Sequence, residues 1–195
     1  MGFPRGITLE LPGWVEELVR SRGEVYPTVE DRMRLAVELS RLNVEHRTGG
    51  PFGAAIFEEE SGRLLAPGVN LVVPSNCSVA HAEVVAIMVA QRAVGHFDLG
   101  GPGMPRYQLF ASTEPCAMCF GATTWSGVRS LICGARDEDA RAVGFDEGAK
   151  VERWISALEE RGISVRRDVL REEAAAVLRR YAEEENVIYN ARQGS

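Results

Sequence analysis

The longest regular alternation of apolar and polar positions covers residues 29–46, where Met33, Ala36, Val37, Ser40 and Val44 share one face at helical spacing. Thr28 precedes this helix as an N-cap, and Glu30 and Asp31 stand in the first turn, where the helix dipole favours acids. Thr48-Gly49-Gly50-Pro51 ends it. Two apolar runs, Ala54–Phe57 and Leu64–Val72, flank the polar stretch Glu58-Glu59-Glu60-Ser61-Gly62 and read as a hairpin. His81–Val94 is apolar over a helix length and predicts a largely buried helix. Tyr107–Ser112 reads as a strand, Cys116–Trp125 as a short helix and Val128–Cys133 as another strand. A helix around Lys150–Arg161, a strand at Ile163–Val165 and a helix at Leu170–Glu185 complete the series. The order α-β-β-α-β-α-β-α-β-α predicts a layered α/β domain with helices on both sheet faces. Residues 1–27 are broken by Pro4, Pro12 and Pro27, with one short apolar stretch at Trp14–Val19. They read as an N-terminal extension holding a turn or short helix, ahead of a single domain over 28–195.

Composition narrows the class of protein. A chain of 195 residues, 45% apolar and 26% charged, has the make-up of a soluble globule with a substantial core. A net charge of −6 argues against binding nucleic acid through bulk charge. No apolar run reaches the ~18 residues of a membrane span. Prolines and glycines interrupt residues 1–14, where a secretory signal would need a continuous apolar region. Four cysteines in such a context point to thiols or metal ligands, not to a disulfide framework. A cytoplasmic protein is expected.

Two segments carry candidate chemistry, Ala80-His81-Ala82-Glu83 and Thr113-Glu114-Pro115-Cys116-Ala117-Met118-Cys119. They supply one imidazole, two thiolates and a carboxylate. Three protein ligands with a fourth position left for water is the catalytic form of a zinc site, so His81, Cys116 and Cys119 are the candidate Zn2+ ligands. The two cysteines, three apart at the start of a helix, share a face, and the helix dipole there favours thiolate. Glu83 lies two residues beyond His81 and suits a carboxylate that reaches the bound water instead of the metal. Cys77 and Cys133 are isolated and build no second pair. H-x-E followed by P-C-x-x-C is an established signature of the zinc deaminases.

The sequence resembles the cytidine-deaminase-fold superfamily and, within it, the bacterial guanine deaminases, from about Thr28 to Glu147. The likeness is carried by Gly49-Gly50-Pro51-Phe52-Gly53-Ala54, Asn70, Ala80–Ile87, Glu114–Trp125 and Gly144-Phe145-Asp146-Glu147. It implies a three-layer α/β/α fold with a central five-stranded mixed sheet and zinc between the two ligand-bearing helices. It also implies site roles. The side-chain amide of Asn70 hydrogen-bonds the base, Phe52 and Trp125 line the pocket, and the backbone N–H of Ala82 meets a ring oxygen. Glu147 touches the purine from a segment that crosses to the partner subunit of a homodimer. Tyr189 corresponds to a C-terminal tyrosine over the pocket. After Glu147 the chain departs from the family pattern and adds a longer tail.

The expected reaction replaces an exocyclic amino group on a heterocyclic base by water. Zinc brings the pKa of its water toward ~7, and Glu83 takes the water's proton, delivers it to the adjacent ring nitrogen and, at a later stage, protonates the departing ammonia. A small free base, guanine first, is the expected substrate. Cytosine, a guanosine-type nucleoside, a pterin or an amino-triazine are alternatives. A tRNA adenosine deaminase shares the same motifs, but phosphate binding normally relies on positive charge that this acidic chain lacks in bulk. A zinc-stabilised interaction module is the non-enzymatic alternative.

Overall fold

The computed structural model describes residues 2–191. Thr28 caps the helix that the sequence pattern places after it. Its hydroxyl accepts from Asp31 N–H at 3.0 Å while the Asp31 carboxylate accepts from Thr28 N–H at 3.3 Å, a reciprocal capping box. This helix, α2 (Val29–Glu45), follows a ten-residue α1 (Gly13–Arg22) in the N-terminal segment. The hairpin β1 (Gly53–Glu58) and β2 (Leu64–Val69) leads through a four-residue α3 (Val72–Ser75) into α4 (Ala82–Val94). Then come β3 (Tyr107–Thr113), α5 (Ala117–Ser126), β4 (Ser130–Ala135) and a short, highly charged α6 (Asp137–Ala142). The chain closes with α7 (Trp154–Glu159), β5 (Ser164–Arg166) and α8 (Arg171–Glu183).

The five strands form one mixed sheet in the order β2-β1-β3-β4-β5. β1 runs antiparallel to both β2 and β3, whereas β3, β4 and β5 are parallel. Side chains alternate between the faces, as the two-residue strand period requires. Ala55 and Phe57 of β1, Phe110 of β3 and Ile132 of β4 pack in the core beneath α2 and α8. Ala54 and Ile56, Leu109 and Ala111, Leu131 and Cys133 pack in a second core with α4 and α7. The result is the three-layer α/β/α sandwich around a five-stranded mixed sheet. Two buried faces explain why the central strands read as unbroken apolar runs.

Two boundaries differ from the sequence reading in ways that matter for the site. β2 ends at Val69, so Asn70 begins a loop instead of continuing the strand. Residues 1–27 are tied to the core more firmly than an extension need be. Val15 of α1 is buried, and Val25 makes a β-bridge with Arg63 beside the hairpin. Among the described residues no helix is long and apolar enough to cross a membrane.

Candidate active site

Both segments that carry the metal-ligand candidates begin helices. His81 is the N-cap of α4 and Cys116 the N-cap of α5, with Cys119 in the first turn, where its N–H points at the Cys116 sulfur at 3.5 Å. His81 Nδ1 lies 3.5 Å from Cys116 Sγ and 3.6 Å from Cys119 Sγ. The three donor atoms are mutually within 4.8 Å. One imidazole nitrogen and two sulfurs converging on a point, at two helix N-termini that favour thiolate, is a donor set suited to zinc with one position open. A hydrogen bond from the Cys119 thiol, opposed by burial, and the nearby His81 hold the Cys116 thiol down at about 4. The Cys119 thiol is pushed well up by Cys116 and by burial, so without a metal the pair shares its proton. Burial alone would pull the His81 imidazole down, but Cys116 and the Glu83 carboxylate raise it on balance.

Glu83 sits in the first turn of α4, almost fully buried and outside the three-donor group. Burial, then the Cys116 charge, raises its pKa above the ordinary 4.5, which suits a group that must take up a proton and give it back. Ala82 occupies the first helical position, where the helix offers its N–H no acceptor. It is itself completely buried.

A cleft of about 190 Å³ opens beside these groups and is lined by His81, Glu83, Cys116, Phe52, Phe145, Glu147, Tyr189 and Asn190 among others. Phe145 is the centre of an aromatic wall. Its ring meets Phe52 edge-on at 4.9 Å and Tyr189 at 5.3 Å. Glu147 is 5% exposed, and its pKa is pushed up to about 8 by burial and by the neighbouring Cys116 and Glu83 charges. Its backbone carbonyl accepts from Ala117 N–H at 2.9 Å, fastening this segment to the start of α5. Asn70 lies behind Phe52, whose carbonyl takes the Asn70 N–H at 3.1 Å, while Asn70 Oδ1 accepts from Val72 N–H at 3.2 Å. Asn70 Nδ2 and the Tyr189 hydroxyl are then buried polar atoms without a partner. Tyr189 lines the cleft, whereas Asn70 stands behind its Phe52 wall and is not itself a lining residue. Unpaired buried donors are costly, so both are available to a polar ligand that reaches them.

Two expectations need correcting. Trp125 does not line the cleft, because it is 85% exposed. The inward stripe of α5 is Cys119, Thr123 and Ser126, and Trp125 projects from the opposite side. Phe145 supplies the aromatic surface instead. Nor does the segment Gly144–Glu147 need to cross to a partner to complete a site. It folds onto the cleft of its own chain, and Asn190 clasps it by donating to Gly144 O at 2.8 Å and accepting from Asp146 N–H at 2.9 Å. Ser78, Phe145, Asp146, Asn190 and Ala191 line the cleft without having been named as site residues; Phe145 and Asp146 lie in the Gly144–Glu147 motif and Asn190 adjoins Tyr189. Glu114 also touches the cleft, but its carboxylate is committed to Arg167 and to Asp137 N–H.

The geometry agrees with what the chain is similar to. Residues 27–135 match the family model described as the cytidine and deoxycytidylate deaminase zinc-binding region. The guanine deaminase of Bacillus subtilis is 37% identical over 134 residues, 69% of this chain and 81% of that protein. A solved structure of a guanine deaminase from Nitrosomonas europaea superposes with a TM-score of 0.87 at 44% identity, covering 94% of this chain and all of the other. The protein NE0047 bound to 2,6-diaminopurine superposes with a TM-score of 0.88 at 47% identity over 96% of this chain and 98% of that one. Coverage of this extent takes in most of the N-terminal segment and the long tail, neither of which is peculiar to this chain. This chain therefore belongs to the cytidine and deoxycytidylate deaminase zinc-binding family, as a hydrolytic deaminase sharing sequence and fold with guanine deaminases.

Proposed function

We propose that this enzyme deaminates free guanine, replacing the exocyclic amino group by the oxygen of water and releasing ammonia. The observation that carries the reading is the convergence of the His81, Cys116 and Cys119 donors beside Glu83 at a cleft walled by Phe52, Phe145 and Glu147, with Tyr189 Oη and, behind Phe52, Asn70 Nδ2 left buried and unpartnered. Asn70 donates to an acceptor on the base, and Ala82 N–H offers a second donor from the floor of α4. Phe52 and Phe145 cover the planar ring. Zinc held by His81, Cys116 and Cys119 would supply Lewis acidity and a water activated at neutral pH. Glu83 takes one proton of the attacking water and delivers it to the adjacent ring nitrogen, then takes the remaining hydroxyl proton and passes it to the amine as the carbon–nitrogen bond breaks and the new carbonyl forms. Glu147, kept neutral by burial, donates to the base, and when ionised it accepts from purine N–H groups. Tyr189 and Asn190 close the cleft and exclude bulk water.

A cleft of about 190 Å³ is below the ~300–1,000 Å³ of sites for larger ligands, which favours a free base over a nucleoside or an RNA loop. The enzyme is proposed to be a homodimer without exchange of the Glu147 segment. The exposed Trp125 of α5 supports a second copy packing against that helix. Light scattering should give twice the 21.3 kDa chain mass.

Ammonia release measured over guanine, guanosine, cytosine, an amino-triazine and a tRNA anticodon stem tests the substrate. Guanine should be turned over and the others rejected by orders of magnitude, because analogues leave the site's buried polar groups unpaired. Efficient turnover of any of the others with guanine inert overturns the guanine assignment.

A further inference from the structure

A line of hydrogen-bonded side chains joins the N-terminal helix to the cleft. Trp14 Nε1–H of α1 donates to Thr48 Oγ1 at 3.0 Å, and the Thr48 hydroxyl donates to Asn43 Oδ1 at 2.8 Å. Asn43 Nδ2 donates in turn to the carbonyls of Gly50 and Asn70, both at 2.9 Å. The direction of this relay is set at its outer end. An indole N–H can only donate, so Thr48 must accept from it and spend its single proton on Asn43. The Asn43 amide is thereby oriented with both hydrogens toward the two carbonyls, since a flipped amide would set oxygen against oxygen. Asn43 is completely buried, so bulk solvent does not reach it to absorb a mismatch. Trp14 is held flat against His46, the ring centroids 5.2 Å apart.

The two carbonyls at the inner end belong to the residues that shape recognition. Asn70 presents the unpartnered amide, and the Gly50 turn is the surface against which Tyr189 packs. We propose that Trp14 is a positioning residue for substrate binding, acting through Thr48 and Asn43 to fix Asn70 and the Gly50 turn. The N-terminal helix, outside the residues matched by the family model, thereby becomes part of the substrate site. The proposal rests on the reading that Asn70 contacts the base.

The test uses the full-length, zinc-loaded enzyme. Thr48→Val keeps the side chain's shape and removes the hydroxyl, and Thr48→Ser keeps the hydroxyl and removes the methyl. Thr48→Val and Trp14→Phe should raise KM for guanine about three- to tenfold with kcat within about twofold, the factor for one ordinary hydrogen bond. Thr48→Ser should retain the wild-type KM. A merely structural Thr48 would give the reverse pattern, with Ser the more damaged in thermal stability and KM unchanged throughout, and that result overturns the proposal. Amide exchange across residues 68–72 is a readout free of guanine, and Thr48→Val should accelerate it. If the wild-type enzyme leaves guanine untouched, the guanine reading fails by itself and exchange alone decides the relay, unchanged protection overturning it.

Discussion

Adding one methyl group at each of two neighbouring glycines should separate folding from recognition. Neither Gly49 nor Gly50 has a positive φ, so alanine meets no backbone strain at either site, and only space decides. A Cβ at Gly49 would lie 1.9 Å from the Asn70 carbonyl oxygen and 2.7 Å from Asn43 Nδ2. Carbon and oxygen normally stay at least ~3.3 Å apart, so the turn or the end of β2 must move by more than about 1 Å. Overpacking of this kind costs about 1–3 kcal/mol, and the buried Asn43 bonds loosen with it. A loss of about 3 kcal/mol lowers Tm by roughly 6–12 °C in a chain of this length. At Gly50 the nearest atoms are all on the Tyr189 ring, the hydroxyl at 2.3 Å first. That ring is the end of a side chain near the C-terminus, and it can swing away with the loss of its packing on Phe145. Gly50→Ala should therefore cost no more than about 1 kcal/mol, or about 2–4 °C in Tm. It should nevertheless raise KM for guanine about tenfold, because Tyr189 no longer closes the cleft. Thermal melts and steady-state kinetics on the two zinc-loaded variants decide the matter. Equal losses of Tm, or a wild-type KM in Gly50→Ala, would refute the placement of Tyr189 against the turn.

Cys116→Ala should lose nearly all bound zinc by metal analysis, and full occupancy would remove Cys116 from the ligand set. Glu83→Gln should keep the metal and the fold while kcat falls at least ~10²-fold, and wild-type turnover would mean that another group moves the protons. In the zinc-free protein the Glu147 carboxyl, at about 8 against an ordinary 4.5, holds a proton that the unfolded chain has released. Stability should fall as pH rises through that window, by up to about 5 kcal/mol at ~1.4 kcal/mol per pH unit. Urea unfolding at the two ends of the window should show the loss in the wild-type protein and a flatter profile in Glu147→Gln.

How much of this was legible depended on whether a feature is made locally. The Thr28 cap and the α2 stripe involve residues within one helix, and the runs in β1, β3 and β4 need only two covered sheet faces, so the pattern exposes both. The six-residue α6 was missed because it is almost entirely charged, with only Ala140 buried. Its first N–H is satisfied by the Glu114 carboxylate at 3.1 Å, a partner 23 residues away that no local window contains. Leu71 and Val72 suit a strand, so the sequence pattern runs β2 on through residues 70–72. The break after Val69 instead turns Asn70 out of the ladder, so that its amide becomes free for a ligand.

The metal donors and the aromatic wall show the same division inside the site. A zinc site demands particular donor atoms, and two helix N-termini present them at fixed short spacings, so His81, Cys116 and Cys119 can be read without the fold. An aromatic side chain carries no such signature, because phenylalanine or tryptophan suits a core, a pocket or an interface equally. The rotation of α5 did hold the information for Trp125. With Cys119 facing His81 and Cys116 in the donor group, a residue six positions later is turned about 240° around a helix of ~3.6 residues per turn, away from that group. Phe145 offered no comparable clue, since it reaches Phe52 only when the chain after α6 folds back and Asn190 clasps it. On the proposed reading the reaction is encoded in two short contiguous motifs, whereas the cleft walls come from three separate segments: Phe52 after the Gly49-Gly50 turn, the Phe145–Glu147 segment, and Tyr189 and Asn190 near the end of the chain. Substitutions in those three segments should change which base is accepted while leaving the hydrolytic chemistry at His81, Cys116, Cys119 and Glu83 in place.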